Sequence, residues 1–100
     1  MFSCKKNKDS YENLIVGKWR CDQSGSKLFD SGEIYEFKNG CLLFYDDGYL
    51  FSTSYVIDNN TLIVSALLGS YVYQINVLTK TSMNLTEIQG KGEISTFTRQ

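Results

Sequence analysis

The sequence contains no histidine and no proline. The lack of histidine excludes serine–histidine and cysteine–histidine nucleophilic pairs and histidine-ligated zinc sites. The three cysteines, Cys4, Cys21 and Cys41, are not spaced as in a zinc ribbon or a redox motif. The acidic clusters, residues 46–47 and 58–60, are accounted for by turn chemistry, which must rely on glycine, asparagine and aspartate when proline is absent. We therefore expect no catalytic residue, no metal site and no cofactor.

The chain also lacks an excess of basic charge and a long apolar run. Its net charge is −1, from 10 basic and 11 acidic residues, whereas nucleic-acid-binding domains normally present a basic face. This disfavours an OB-like barrel that presents aromatics to single strands, and we expect no nucleic-acid partner. No segment approaches the roughly 18 apolar residues of a membrane-spanning helix, or the 7–15 of a secretory signal.

The first residues, Met1-Phe2-Ser3-Cys4-Lys5-Lys6, resemble the last residues of a bacterial lipoprotein signal, in which small or apolar residues precede the lipidated cysteine. The resemblance implies lipidation of Cys4, membrane attachment in the cell envelope, and a hydrophobic signal segment that precedes Met1. Residues 1–9 would then be a tail and tether. The alternative is an ordinary cytosolic N-terminus with a chance cysteine, so a cytoplasmic location stays open.

Strand-like patterns dominate the rest of the chain. One hundred residues make one domain, and an aromatic content of 14% suits pleated, half-buried surfaces. After a short helical turn over residues 10–14, apolar residues alternate with polar ones, and tight turns such as Asn39-Gly40 separate the segments. About eight strands result, over residues 15–23, 33–38, 41–45, 49–57, 61–66, 71–78, 82–88 and 93–99. Because closure removes exposed edges, we predict an all-β antiparallel up-and-down meander barrel over residues 10–100.

Three segments resemble the small bacterial lipocalin-like domains of the calycin group. Leu14-Ile15-Val16-Gly17-Lys18-Trp19 is similar to the Gly-x-Trp of the first strand, residues 35–40 and 55–62 to the central hairpins, and Phe97-Thr98-Arg99 to the last strand. The resemblance implies a non-catalytic barrel. In such a barrel the last strand pairs with the first, so Arg99 is expected to cover the Trp19 ring while Gly17 admits the helical turn. These three residues are expected to be structural.

Alternation also gathers aromatic side chains on the inward face, with Val77 beside the last of them. One interpretation is a cavity for a small apolar or amphipathic ligand, covered by a lid, the loop over residues 24–32 with Leu28 and Phe29. The other is a filled barrel that acts as a protein-interaction or inhibitor module, through exposed residues such as Leu50 and Val56. The candidate lining is Tyr35, Phe37, Tyr49, Phe51, Tyr55, Tyr71 and Tyr73.

Cys21 and Cys41 have two interpretations as well. They form a disulfide across neighbouring strands if the protein is exported, or they are two buried small hydrophobic residues. Either state leaves Cys4 as the odd cysteine, which suits lipidation better than pairing.

Overall fold

The alternating segments fold into a closed antiparallel barrel. The computed structural model describes residues 10–46, 48–66 and 69–100, so Cys4 and the rest of the predicted tail lie outside the described residues. Within these ranges, each strand pairs with the next and the last pairs with the first, which confirms the predicted meander barrel. The elements are α1 (Tyr11–Leu14), β1 (Gly17–Gln23), β2 (Ile34–Lys38), β3 (Cys41–Asp46), β4 (Tyr49–Asp58), β5 (Thr61–Ala66), β6 (Gly69–Leu78), β7 (Ser82–Glu87) and β8 (Ile94–Arg99).

The connections sort into two ends of the barrel. At the end that we call the base lie α1, the β2–β3, β4–β5 and β6–β7 turns, and the end of β8. The β2–β3 turn has positive φ at both Asn39 and Gly40 (25° and 91°), as a two-residue hairpin turn requires. At the opposite end, the mouth, lie the β1–β2 loop, the ends of β3 and β5, the starts of β4 and β6, and the β7–β8 loop.

The base is closed by Trp19, which is fully buried. Its Nε1 donates a hydrogen bond to the Ile15 carbonyl at 2.8 Å, and the Cζ of Arg99 lies 4.3 Å from its ring centroid. The guanidinium also donates to the backbone carbonyls of Leu14 and Val16. A Cβ at Gly17, where φ is +136°, would overlap that guanidinium. The structure thus brings the three signature residues together as one structural unit.

A β-bulge changes which side chains of β6 face the interior of the barrel. The β6–β7 register shifts between Ile75 and Val77, and a bulge reverses the alternation of side chains beyond it. As a result Val77 is 42% exposed and Leu78 is buried. The expectation that Val77 joins Tyr73 inside the barrel is therefore wrong.

The β3–β4 hairpin projects past the mouth. Among the described residues, β4 pairs with β5 only from Ser54 to Asp58, and its first residues pair with β3 alone. Tyr49 and Phe51 face the same side of β4 as Tyr55, but they lie above the rim and are 72% and 46% exposed. Phe51 stacks on Phe44 instead, with centroids 5.8 Å apart. Their assignment to the interior lining is therefore wrong.

The two described cysteines are free. Cys21 is on β1 and Cys41 on β3, and β2 lies between these strands, so the predicted disulfide does not form. Cys21 is buried, but Cys41 is exposed, which corrects the expectation that both are buried. Burial raises the pKa of the Cys21 thiol to about 11, so it stays protonated at neutral pH.

Candidate functional site at the barrel mouth

The β1–β2 loop, residues 24–33, folds down into the mouth, and we call it the mouth loop. Its Phe29 is 1% exposed. The Phe29 ring meets Tyr35 edge to face at 5.0 Å and Phe97 edge to face at 4.9 Å, and lies 5.4 Å from the tilted ring of Tyr73. The mouth of the barrel is therefore closed by a side chain of its own loop.

Hydroxyl groups hold the mouth loop in place. The Ser26 and Tyr73 hydroxyls are hydrogen-bonded at 2.6 Å, and the Asp30 N–H donates to the Tyr35 hydroxyl at 2.7 Å. The Ser24 hydroxyl donates to the Phe29 carbonyl at 2.5 Å. Both tyrosine hydroxyls that face the mouth thus have partners in the loop.

Gly25 packs the start of the mouth loop against the β7–β8 loop. Its N–H donates to the buried Ser95 hydroxyl at 2.8 Å. A Cβ at this position would lie 2.6 Å from the Ile94 nitrogen and 2.8 Å from the Glu93 carbonyl carbon. Because both are backbone atoms, they cannot move aside cheaply.

We expect Gly25→Ala to lower the free energy of unfolding by about 1–3 kcal/mol, the usual cost of overpacking. Chemical denaturation would measure the loss, and limited proteolysis would show whether the mouth loop becomes more accessible. Lys27→Ala, at an exposed position of the same loop, is the control and should change stability little. A Gly25→Ala protein as stable as the parent would contradict this close packing.

Burial sets the ionisation of the mouth tyrosines. It raises the pKa of Tyr35 to about 12 and that of Tyr73 well above its usual value. In both cases loss of solvation is the largest cause, opposed by the hydrogen bond from the loop. Both hydroxyls are therefore neutral at physiological pH, and each can donate and accept.

Stability is expected to fall as the pH rises above about 10, where tyrosines of the unfolded chain ionise. Between that pH and the raised pKa values, the folded protein keeps protons that the unfolded chain releases. Each such tyrosine should then lower the free energy of unfolding by about 1.4 kcal/mol per pH unit. Urea midpoints at pH 8 to 11 would measure this, and Tyr35→Phe should flatten the decline. A midpoint that stays constant to pH 11 would refute it.

The predicted lining residues that lie within the barrel or at its rim are found at different depths. Tyr35 and Tyr73 reach the mouth, whereas Phe37 and Tyr55 are buried nearer the base and meet edge to face at 5.1 Å. Tyr71 is half-buried at the rim. Of the predicted lid residues, Phe29 enters the barrel and Leu28 is half-buried above it.

Sequence reasoning missed three contributors to the site. Phe97 completes the ring cluster, and alternation along the last strand was the signal for it. Ser26 and Ser95 anchor the loop; Ser95 lies on β8, two residues before Phe97, whereas Ser26 belongs to a Ser-Gly-Ser stretch that looks like an ordinary turn. Nothing in the local pattern distinguishes such a serine from a solvated one.

A cleft of about 510 Å³, lined mainly by polar and charged residues and by glycine, lies outside the ring cluster. Ser26 lies on its wall and also bonds Tyr73, so the Ser26–Tyr73 pair separates the cleft from Phe29. Charged groups of both signs surround the cleft, and it has no strong preference for an ion of either sign. The lining is Ser24, Gly25, Ser26, Lys27, Tyr71, Glu87, Gly90, Lys91 and Glu93.

The described residues lack two features. They contain no group of three or more histidine, cysteine, aspartate or glutamate side chains that could hold a metal ion. No helix among them is long and apolar enough to cross a membrane.

Comparison with known proteins rests on structure. No family model and no curated protein matches the sequence. The crystal structure of a lipocalin-like protein from Bacteroides uniformis ATCC 8492 matches with a TM-score of 0.60, over 87% of this chain and 99% of that one. The chain has a lipocalin-like fold. Sequence identity between the two lipocalin-like chains is 17%, so the likeness concerns the fold and carries no residue roles.

Proposed function

We propose that this lipocalin-like barrel is a non-catalytic binding protein that accepts a small apolar or amphipathic molecule at its mouth. The observation that carries the proposal is Phe29, a loop residue buried among three aromatic rings, where a ligand would lie. Pockets for small ligands are typically apolar, with a few placed polar groups. The rings and the two tyrosine hydroxyls match that description once the loop residue moves away.

The mouth loop is suited to act as the lid. Its attachment at Gly25 is tight, but residues 26–31 are held mainly through Phe29 and the two tyrosine hydroxyls. Gly32 follows, with φ of +90°, and its N–H donates to the Cys21 carbonyl of β1 at 2.7 Å. The lid is therefore the segment between these two attachments. A ligand that replaces the Phe29 contacts would leave its polar end in the adjoining cleft.

Native mass spectrometry and two fluorescent probes, a fatty acid and a compact aromatic molecule, test the proposal. We expect protein purified from envelopes to carry an additional mass, and at least one probe to gain fluorescence and be displaced by that molecule. Val56→Ser, on the outer wall near the base, is a matched control that should bind equally. A clean ligand-free mass together with no probe binding would count against a ligand-binding function.

The location proposed for this function is the cell envelope, through lipidation of Cys4. α1 lies at the base, because Arg99 bonds the Leu14 carbonyl there. A tether that precedes α1 would therefore leave the mouth facing away from the membrane. Expression with the native upstream region and radiolabelled palmitate tests this, and label that persists in Cys4→Ser would refute it.

A second candidate function is protein interaction through the projecting β3–β4 hairpin. Tyr45, Tyr49, Leu50 and Phe51 are all exposed there, an unusual cluster of large apolar side chains on an outer surface. Among the residues that the structure describes, β4–β5 pairing ends at Ser54 and Ser65, while β4 continues to Tyr49. An unpaired edge of this kind is a template for another strand.

The partner that we assign to this edge is a second copy of the chain. The Tyr55 N–H bonds the Gly40 carbonyl of β3, so in the alternation of the ladder Leu50 and Ser52 turn their backbone groups to the open side. Two copies can then pair antiparallel about Phe51, with Leu50 of each opposite Ser52 of the other. Sedimentation should show a dimer that Leu50→Lys abolishes and Val56→Lys, at 58% exposure against 57%, does not. A monomer at all concentrations would exclude this partner.

A further inference from the structure

We infer that the ligand is a compact, neutral aromatic molecule with hydrogen-bonding groups on two edges, and that it binds by displacing Phe29 and the loop segment 26–30. This inference rests on the proposed binding function and specifies the ligand class of the same site.

The arrangement of rings favours an aromatic ligand. Tyr35 and Phe97 stand at 87° and 83° to the Phe29 ring, so both make edge-to-face contacts with it. Such contacts depend on the quadrupole of the ring and are more favourable than contact with an alkyl chain of equal area. A flat ring in the place of Phe29 keeps both contacts, whereas an acyl chain keeps neither.

The depth of the site limits the size of the ligand. Phe29 belongs to one contiguous buried cluster that continues to Trp19 at the base. Phe37, Leu42 and Met83 are buried nearer the base, with exposures of 1% or less. Because close-packed cores do not yield space cheaply, displacement of Phe29 opens room for little more than the ring that leaves. A long acyl chain has no room to extend toward the base.

The two tyrosine hydroxyls set the polar groups of the ligand. When residues 26–30 leave, the Tyr35 hydroxyl loses the Asp30 N–H and the Tyr73 hydroxyl loses the Ser26 hydroxyl. A buried polar group without a partner is costly, so the ligand must replace both. It therefore needs one hydrogen-bonding group, a donor or an acceptor, on the edge that meets Tyr35 and another on the edge that meets Tyr73.

The surroundings of the ring favour a neutral ligand. The side chains packed on Phe29 are uncharged at neutral pH, and the charged groups Lys27, Glu87, Lys91 and Glu93 line the cleft outside the Ser26–Tyr73 pair. A carboxylate or an ammonium at ring depth would lose its hydration without gaining a counter-charge. Compact phenols and aromatic amides meet all of these conditions.

Titrations of the intact protein with three probes test the inference. The probes are 4-hydroxybenzamide, toluene and decanoate, followed by amide chemical shifts and by hydrogen exchange of residues 24–32. We expect 4-hydroxybenzamide to bind at least about tenfold more tightly than either other probe, and the Asp30 amide to lose protection as it binds. Tyr35→Phe and Tyr73→Phe should each weaken binding about five- to tenfold, while Tyr11→Phe, on α1 at the base, should not.

The possible outcomes separate this inference from the broader proposal. Binding of decanoate in preference to 4-hydroxybenzamide, with release of the mouth loop, would overturn the ligand class and leave the binding function standing. Binding of 4-hydroxybenzamide with the Asp30 amide still protected would overturn the displacement of Phe29. If no probe binds the parent protein or Phe29→Leu, which leaves a smaller side chain in the mouth, both the inference and the ligand-binding function fail.

Discussion

Trp19→Ala is expected to remove a large part of the stability of the fold. Replacing a fully buried tryptophan by alanine typically costs about 3–5 kcal/mol, against a total of about 5–15 kcal/mol for a domain of this kind. The indole also supplies the surface on which Arg99 lies and the donor for the Ile15 carbonyl. We expect the melting temperature to fall by at least about 12 °C, or the protein to accumulate unfolded.

Two further variants separate the causes of this loss. Trp19→Phe keeps a ring below Arg99 but removes the Nε1 donor, so it should cost less than Trp19→Ala and leave the Ile15 carbonyl without its 2.8 Å bond. Val77→Ala, at an exposed position of β6, should cost little. If Trp19→Ala melted within a few degrees of the parent, Trp19 would not be the closure of the base.

Much of the fold follows from sequence because alternation and turn chemistry are local signals. The pattern around Asn39-Gly40 predicts a hairpin, and the structure has the two positive φ angles that this turn needs. Closure then dictates that the last strand meets the first, which places Arg99 opposite Trp19 in the β1–β8 register. That contact joins the first strand to the last, yet it can be predicted from the number of strands and the direction of each strand alone.

The position of a side chain along the barrel axis could not be predicted in the same way. Alternation fixes the side of a strand on which Tyr49 and Phe51 lie, but not whether neighbouring strands extend far enough to cover them. The β4–β5 pairing ends at Ser54, so both residues stand above the rim. At Val77 alternation also fails to predict the face of the strand on which the side chain lies. A bulge in β6 reverses the alternation there, and the residue types do not indicate the bulge.

The candidate site was predicted in part for a related reason. An apolar pair within a polar loop indicates that Leu28 or Phe29 folds back onto the barrel, but no local rule selects which one enters. The choice depends on three rings from β2, β6 and β8, and on hydroxyls that meet the loop only after the barrel closes. Contacts of this kind are set by tertiary packing and are absent from any local pattern.

Arg99→Met is expected to lower the free energy of unfolding by about 2–4 kcal/mol, the second large effect at the base. The guanidinium donates to three backbone carbonyls, those of Leu14, Val16 and Lys80, and hydrogen bonds from a charged group contribute about 1.5–3 kcal/mol each when they are removed singly. Arg99 is only half-buried, and one side chain makes all three hydrogen bonds. Their combined contribution to the free energy of unfolding is therefore smaller than that of three separate bonds. Methionine retains the apolar part of the arginine side chain, so the decrease in the free energy of unfolding measures the contribution of the guanidinium group.

Arg99→Lys distinguishes charge from geometry at this position. Lysine keeps the positive charge above the Trp19 ring but cannot reach carbonyls from α1 and the β6–β7 turn together, because its donors diverge from one nitrogen. We therefore expect Arg99→Lys to recover less than half of the loss. A double-mutant cycle of Arg99→Met with Trp19→Leu, which removes the ring, should show a coupling of about 0.5–2 kcal/mol between guanidinium and ring. Zero coupling would mean that Arg99 acts only by fastening α1 and the β6–β7 turn to the barrel, and that the ring beneath it contributes by burial alone.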